Sequence, residues 1–143
     1  VDKISGTWSF EYSFDVDEVN SIVYEKIYGI WRERTAREYS EDFKKEVAPI
    51  FNRPWAKFID LTNWKTSSSE VIQIIGEHLA WCVKNNMVAS INVINNPVTY
   101  NQLMRMFARG GTKQISKVYR TKAEAIKALQ EMGFKAELQR NGS

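Results

Sequence analysis

A single cysteine in a chain of 143 residues excludes an intramolecular disulfide and leaves too few thiols for a thiolate zinc site. A reducing compartment, the cytoplasm, is therefore the expected location. Three prolines and seven glycines are too few for a collagen-like chain or a Pro/Gly-rich disordered one. Long apolar runs are missing as well. The longest stretch without a charge, Asn85 to Met104, has twenty residues but contains six Asn, one Gln and a Pro, so no bilayer span is expected. No signal-peptide pattern opens the chain, and a soluble protein is expected. There is no Gly-rich phosphate loop with its Lys-Ser/Thr, no dinucleotide fingerprint and no metal-hydrolase motif. Acids are also absent between Glu77 and Glu124, where Lys84, Arg105, Arg109, Lys113, Lys117, Arg120 and Lys122 all fall. The net charge of +3 thus divides into −3 for residues 1–70 and +6 for residues 71–143, which implies a one-sided potential.

Hydrophobic residues make up 43% and aromatic ones 13% of the chain. A chain of this length can bury roughly 68% of its unfolded surface in one core, so one domain is expected. Residues Thr7 to Asp15 place Trp8, Phe10, Tyr12 and Phe14 on one parity, the alternation of a half-buried strand. Ile22 to Trp31 is rich in Ile, Val and Tyr and suits its antiparallel partner, with Gly29 easing a bulge. Four helix starts follow. Thr35/Glu38, Ser67/Glu70 and Thr121/Glu124 have capping-box spacing, and Asn96-Pro97 is an N-cap followed by proline. Apolar stripes support them: Ala36, Tyr39, Phe43, Val47 and Ile50; Val71, Ile75, His78 and Cys82; Tyr100, Leu103, Met104 and Phe107; Ala125, Leu129 and Met132. Pro49 should fray the end of the first helix, while Gly110-Gly111 and Gly133 mark later stops. Between the helices, Ala56 to Leu61, Val88 to Ile94 and Ile115 to Tyr119 have the length and character of buried strands. The expected fold is α/β in the order β-β-α-β-α-β-α-β-α. It has a mixed five-stranded sheet, largely parallel, with an antiparallel N-terminal edge and four helices.

This pattern resembles the STAS (anti-sigma-factor-antagonist-like) fold, and more narrowly the SpoIIAA-like/SEC14-like group of small bacterial proteins. The matching features are Ile27-Tyr28-Gly29-Ile30-Trp31 leading to Thr35, the strand ending Phe58-Ile59-Asp60-Leu61-Thr62, the helix start Ser67-Ser68-Ser69, and Val118-Tyr119-Arg120-Thr121 with Glu124-Ala125 and Leu129. The resemblance implies one STAS-like domain over residues 1–143, with its core at about 7–134 and a tail at 135–143. It further implies a non-enzymatic regulatory module that acts by protein–protein binding through Thr62 to Glu70. The family's switch is phosphorylation of a Ser or Thr at the start of the helix after the central strand, here Ser67, Ser68 or Ser69. The family pattern Asp-Ser-Ser/Thr-Gly reads Thr66-Ser67-Ser68-Ser69-Glu70 in this chain, so the equivalent serine is left open. The SEC14-like side of the resemblance implies the alternative, a carrier or sensor of a small anionic or partly apolar ligand.

In an open parallel sheet, ligands sit outside the carboxyl ends of the strands. That edge gathers Asp60, Thr62, Asn63 and Trp64, then Asn95 and Asn96, then Arg120 with Thr121. Helix N-termini would point there and favour an anion, although Ser67, Asn96 and Thr121 read first as caps. His78 and Cys82 lie one turn apart on an apolar stripe, which suits a core histidine and a small buried thiol better than a metal site or a nucleophile. Arg105, Arg109, Lys113 and Lys117 read as a solvated face rather than a nucleic-acid stripe. Trp64 is expected in a loop, as a partner anchor or a lid over the strand ends. No catalytic residue, metal or cofactor is assigned. The expected partners are a protein, including a second copy of the chain, or a small anionic ligand.

Overall fold

The structure is a computed structural model in which residues 11–138 are described. It comprises β1 (Tyr12–Asp17), β2 (Ile22–Trp31), α1 (Glu33–Glu46), β3 (Trp55–Ser67), α2 (Ser69–Lys84), β4 (Met87–Val93), α3 (Pro97–Gly110), β5 (Ser116–Tyr119) and α4 (Lys122–Glu131). This is the expected order. The sheet runs β1-β2-β3-β4-β5; β1 pairs antiparallel with β2, and every later pair is parallel. The first strand keeps the predicted parity, with Tyr12 and Phe14 buried. It extends to Asp17, and the predicted positions Trp8 and Phe10 lie outside the described residues.

Strand parity divides the chain's apolar residues between two cores. Val23, Ile27, Trp55 and Ile59 join the larger core under α1, α2 and α3, whereas Ile22, Tyr24, Ala56 and Phe58 join the smaller one under α4. On the larger side, the rings of Trp31 and Tyr39 lie 5.1 Å apart, and those of Phe14 and Phe43 5.6 Å apart. Such ring pairs contribute about 0.5–1.5 kcal/mol each beyond the area they bury. The packed chain continues past residue 134. Ala136 is buried in the smaller core, and the backbone N–H of Glu137 donates to the Tyr24 hydroxyl at 3.1 Å.

Local signals decide some boundaries and lose others to tertiary pairing. Asn96 caps α3 by accepting from the Val98 N–H at 2.8 Å, and Thr121 caps α4 by accepting from the Glu124 N–H at 3.2 Å. Gly111 adopts φ 70° and ends α3, a conformation that glycine reaches without a Cβ penalty. The Thr35/Glu38 box does not form. Helix α1 starts two residues before Thr35, at Glu33, where Arg37 bonds back to Glu33 within the first turns. Nor does the Ser67/Glu70 box form, because Ser67 is still paired with Trp31 in the sheet and Ser68 occupies the N-cap position. Two stripe residues also turn outward, Tyr100 at 42% and Met132 at 45% exposure. The buried face of α3 is instead Thr99, Leu103, Met106 and Phe107.

The close approach of α2 to α3 explains two glycines. A Cβ at Gly76 would lie 2.5 Å from the Arg109 Cγ, and one at Gly110 would lie 2.7 Å from the Gly76 carbonyl oxygen. Arg105 and Arg109 are exposed on α3, Lys113 in the following loop and Lys117 on β5. No described helix is long and apolar enough to cross a membrane.

Candidate functional site

Strand β3 was expected to end at Leu61 but runs on to Ser67, and its pairing with β2 is irregular. Lys26 and Tyr28 of β2, two residues apart, face Asp60 and Asn63 of β3, three apart. Gly29 and Ile30, neighbours in β2, face Trp64 and Thr66. Each shift is a bulge with one extra residue in β3, and one extra residue turns all later side chains to the opposite face. Gly29 lies at the second shift with φ 74°, the left-handed region that favours glycine. The bulges bring Leu61, Trp64 and Ser67, spaced by three, to the wall of one cavity.

That cavity has a volume of about 50 Å³. It lies between the sheet and the three helices of the larger core. Leu61 and Trp64 meet Val71 and Ile75 of α2 and Leu103 and Phe107 of α3 around it. Its one charged lining residue is Lys57, and the polar ones beside it include Tyr39, Ser90 and Asn92. A dry apolar cavity that takes benzene measures about 150 Å³, so this space, about a third of that, excludes a long acyl chain.

The polar residues form a connected floor. Glu25 is fully buried, the Lys57 ammonium lies 3.5 Å from its Oε2, and the Tyr39 hydroxyl donates to its Oε1. Burial raises the Glu25 carboxyl above its usual range, while the Lys57 charge and the Tyr39 hydrogen bond pull it back. The ammonium also sits 4.8 Å from the Phe43 ring centroid and 5.8 Å from that of Tyr39, contacts that favour a desolvated cation. Ser90 is the register partner of Lys57 on β4. Asn92 Nδ2 donates to Ser90 Oγ at 3.2 Å and to the Lys117 carbonyl at 3.2 Å, which ties the floor to β5.

The cavity's outer end is held by side chains of the expected working segment. Trp64 Nε1 donates to Ser67 Oγ at 2.9 Å, the Ser67 N–H donates to Gln102 Oε1 at 3.0 Å, and Gln102 Nε2 donates to Thr66 Oγ1 at 3.0 Å. Gln102 of α3 thus straps the end of β3. Trp64 is 3% exposed. It is no loop anchor but a strand residue and cavity wall, which corrects the expectation of a loop. Thr62, Asn63 and Lys65 face outward on the same strand. Of the candidate serines, Ser67 is engaged by Trp64, the Ser68 Oγ is buried without a partner, and Ser69 is exposed at the first position of α2.

The remaining strand-end residues do not converge on one site. Asp60 precedes the first bulge and accepts from the Thr62 N–H and hydroxyl. It acts electrostatically on Lys122 of α4, so it lies on the α4 side while Trp64 lies on the other. Asn96 is engaged as a cap, and Asn95 and Arg120 are exposed. The His78–Cys82 pair is interior: Nδ1 meets Ser40 Oγ at 2.9 Å, and Nε2 lies 3.6 Å from the Cys82 Sγ. Burial, together with nearby Lys57 and Lys44, pushes the His78 pKa well below its usual value. Burial also pushes the Cys82 thiol up to about 12. The folded protein is therefore expected to resist iodoacetamide at pH 8 and to be labelled fully in denaturant, since the thiolate is the nucleophile. Rapid labelling of the native protein, read by intact mass, would refute this placement of Cys82.

The same architecture recurs in solved structures. The chain aligns with an uncharacterized protein of the DUF3478 family from Shewanella loihica PV-4, described as having a SpoIIAA-like fold, at TM-score 0.60 and 12% identity over 82% of this chain and 93% of that one. The fold is SpoIIAA-like. The protein TM1081 matches at TM-score 0.56 and 15% identity over 91% of this chain and 97% of that one. No family model matches the sequence, and no curated protein does. At these identities the SpoIIAA-like likeness is one of fold alone.

Proposed function

We propose that this SpoIIAA-like domain is a non-enzymatic binding module in which a small, mainly apolar molecule in the cavity is coupled to a protein-binding surface at Thr62 to Glu70. The observation that carries the reading is the double role of one strand segment. Leu61, Trp64 and Ser67 line the cavity, while Thr62, Asn63 and Lys65 between them face solvent. A change in cavity contents that moves Trp64 would carry its exposed neighbours with it, because beyond Asp60 the β3 backbone is paired with β2 alone. Phosphorylation, as the second input, fits Ser69 best of the three serines. It is exposed at a helix N-terminus, where the dipole tolerates the added charge.

Site-specific photocrosslinking in the native host tests this. A photoreactive residue at Lys65 or Ser69 is expected to capture a discrete protein partner, and one at Lys127, exposed on α4, is expected to capture none. Equal capture at all three positions would remove the protein-binding half of the reading. A small molecule still found by native mass spectrometry would then leave the carrier as the function.

A further inference from the structure

The groove between α2 and α3 specifies the chemistry of a protein partner; this inference rests on the protein-binding half of the function proposed above. Ser69, near the end of the segment Thr62 to Glu70, is also one wall of a surface groove whose other residues are Ile72 of α2 and Arg105, Ala108 and Arg109 of α3. Helical spacing puts Arg105 and Arg109 one turn apart on one face, and both are exposed. Arg109 is also held in place. A Cβ at Gly76 would lie 2.5 Å from the Arg109 Cγ and 2.7 Å from its Cβ, so the arginine stem rests on α2 where that helix has no side chain. A stem ordered by packing loses less freedom when its head is bound.

Charge sets these two arginines apart from those of α1. There Arg34 pairs with Glu38 and Arg37 with Glu33, each at 3.1 Å. Among the described residues, neither Arg105 nor Arg109 has a carboxylate within ion-pair reach. Of the acids on α2, Glu70 does not line the groove, and Glu77 accepts from Gln73 at 3.3 Å. No further acid follows until Glu124, while Lys113 and Lys117 add charge of the same sign. Each guanidinium presents a planar fork that takes a carboxylate through two N–H bonds. Two uncompensated forks beside a floor of Ile72 and Ala108 are therefore complementary to two carboxylates flanking one aliphatic side chain. A single strand of nucleic acid would need rings on which to stack its bases, and no ring lines the groove. We propose that the protein partner docks an acidic segment here, with carboxylates on Arg105 and Arg109 and an aliphatic side chain between them on Ile72 and Ala108.

A random peptide library displayed on phage and selected on the full chain supplies the probe. Enriched peptides are expected to carry two acids around an aliphatic residue and to bind Arg105→Gln/Arg109→Gln about tenfold more weakly than the parent. They should bind Arg34→Gln/Arg37→Gln as they bind the parent. Their affinity should fall between about 0.05 and 0.5 M salt, as contacts between exposed charges require. Ser69→Glu, which places an acid in the groove itself, is expected to weaken them in the same direction and provides a second variant. Enriched peptides without acids, peptides indifferent to the two arginines, no enrichment at all, or a short oligothymidine strand that binds more tightly than the peptides would overturn the assignment. Crosslinking from Lys65 separates this failure from that of the function. A partner captured equally by the parent and by Arg105→Gln/Arg109→Gln would leave protein binding standing without this groove, and no capture by either would remove both.

Discussion

Methionine in place of Lys57 is expected to destabilise the fold by about 3–5 kcal/mol at neutral pH, the cost of removing one partner from a buried ion pair. The side chains of Lys57 and Glu25 are 3% and 0% exposed, so bulk solvent does not reach the carboxylate when the ammonium is lost. Tyr39 still donates to Glu25 in the variant, yet a hydroxyl supplies no net charge. The pH dependence has a definite sign. Without Lys57, only the Tyr39 hydrogen bond still lowers the Glu25 pKa, and burial holds it further above the ordinary value. A carboxyl whose pKa is raised on folding contributes stability at low pH and loses it as pH rises through the folded value. The Lys57→Met deficit should therefore be smaller at pH 5 than at pH 8. Glu25→Gln combined with Lys57→Met should recover most of the loss, because a neutral, hydrogen-bonded floor replaces the stranded charge. Urea denaturation of the three proteins at both pH values checks this. Equal deficits in the single and double variants would show that the ion pair is not what Lys57 contributes.

The second large effect belongs to His78. Its ring is packed 4.7 Å from that of Phe43 and 4.9 Å from that of Tyr39, and its pKa lies well below the usual value. The folded state keeps His78 neutral, whereas the unfolded chain takes up a proton near pH 6.5. Stability from this group is thus fully present above the unfolded value and is lost as pH falls below it, at up to about 1.4 kcal/mol per pH unit. Glu25 acts with the opposite sign, so the comparison must be with a variant rather than with a calculated total. The parent is expected to lose stability between pH 7 and 5, while His78→Gln, which keeps a polar group near Ser40, should have a flatter profile over the same range. Parallel slopes for the two proteins in thermal unfolding would mean that His78 is protonated inside the fold.

Much of this architecture was legible from local signals, because those signals act within a few residues. Strand parity in Tyr12 to Asp15, the Asn96 and Thr121 caps, and the glycines at 29 and 111 each satisfy a backbone requirement on the spot. Their order was enough to establish an α/β fold with an antiparallel edge. The burial of Cys82 and His78 also followed from helical spacing alone. The Ser67/Glu70 signal failed because its serine lies within the sheet, where ladder pairing outweighs a cap worth about 1 kcal/mol.

What the tertiary structure decided was the site. Glu25 and Lys57 are separated by 31 intervening residues and meet only because β2 and β3 pair in parallel. A hint was present, since one acid and one base interrupt strands that otherwise read as apolar runs. Which charge would answer which depends on register, and register is a property of two strands. Likewise, no periodicity of two or 3.6 would select Leu61, Trp64 and Ser67 together. Two extra residues in β3 relative to β2 rotate them onto one wall, and they separate Trp64 from Asp60, with which simple alternation would have grouped it. Local chemistry determined where this chain makes strands and helices. Leu61, Trp64 and Ser67 share one cavity wall because β3 carries two more residues than β2 along their pairing, and such a mismatch is visible only once the strands are paired.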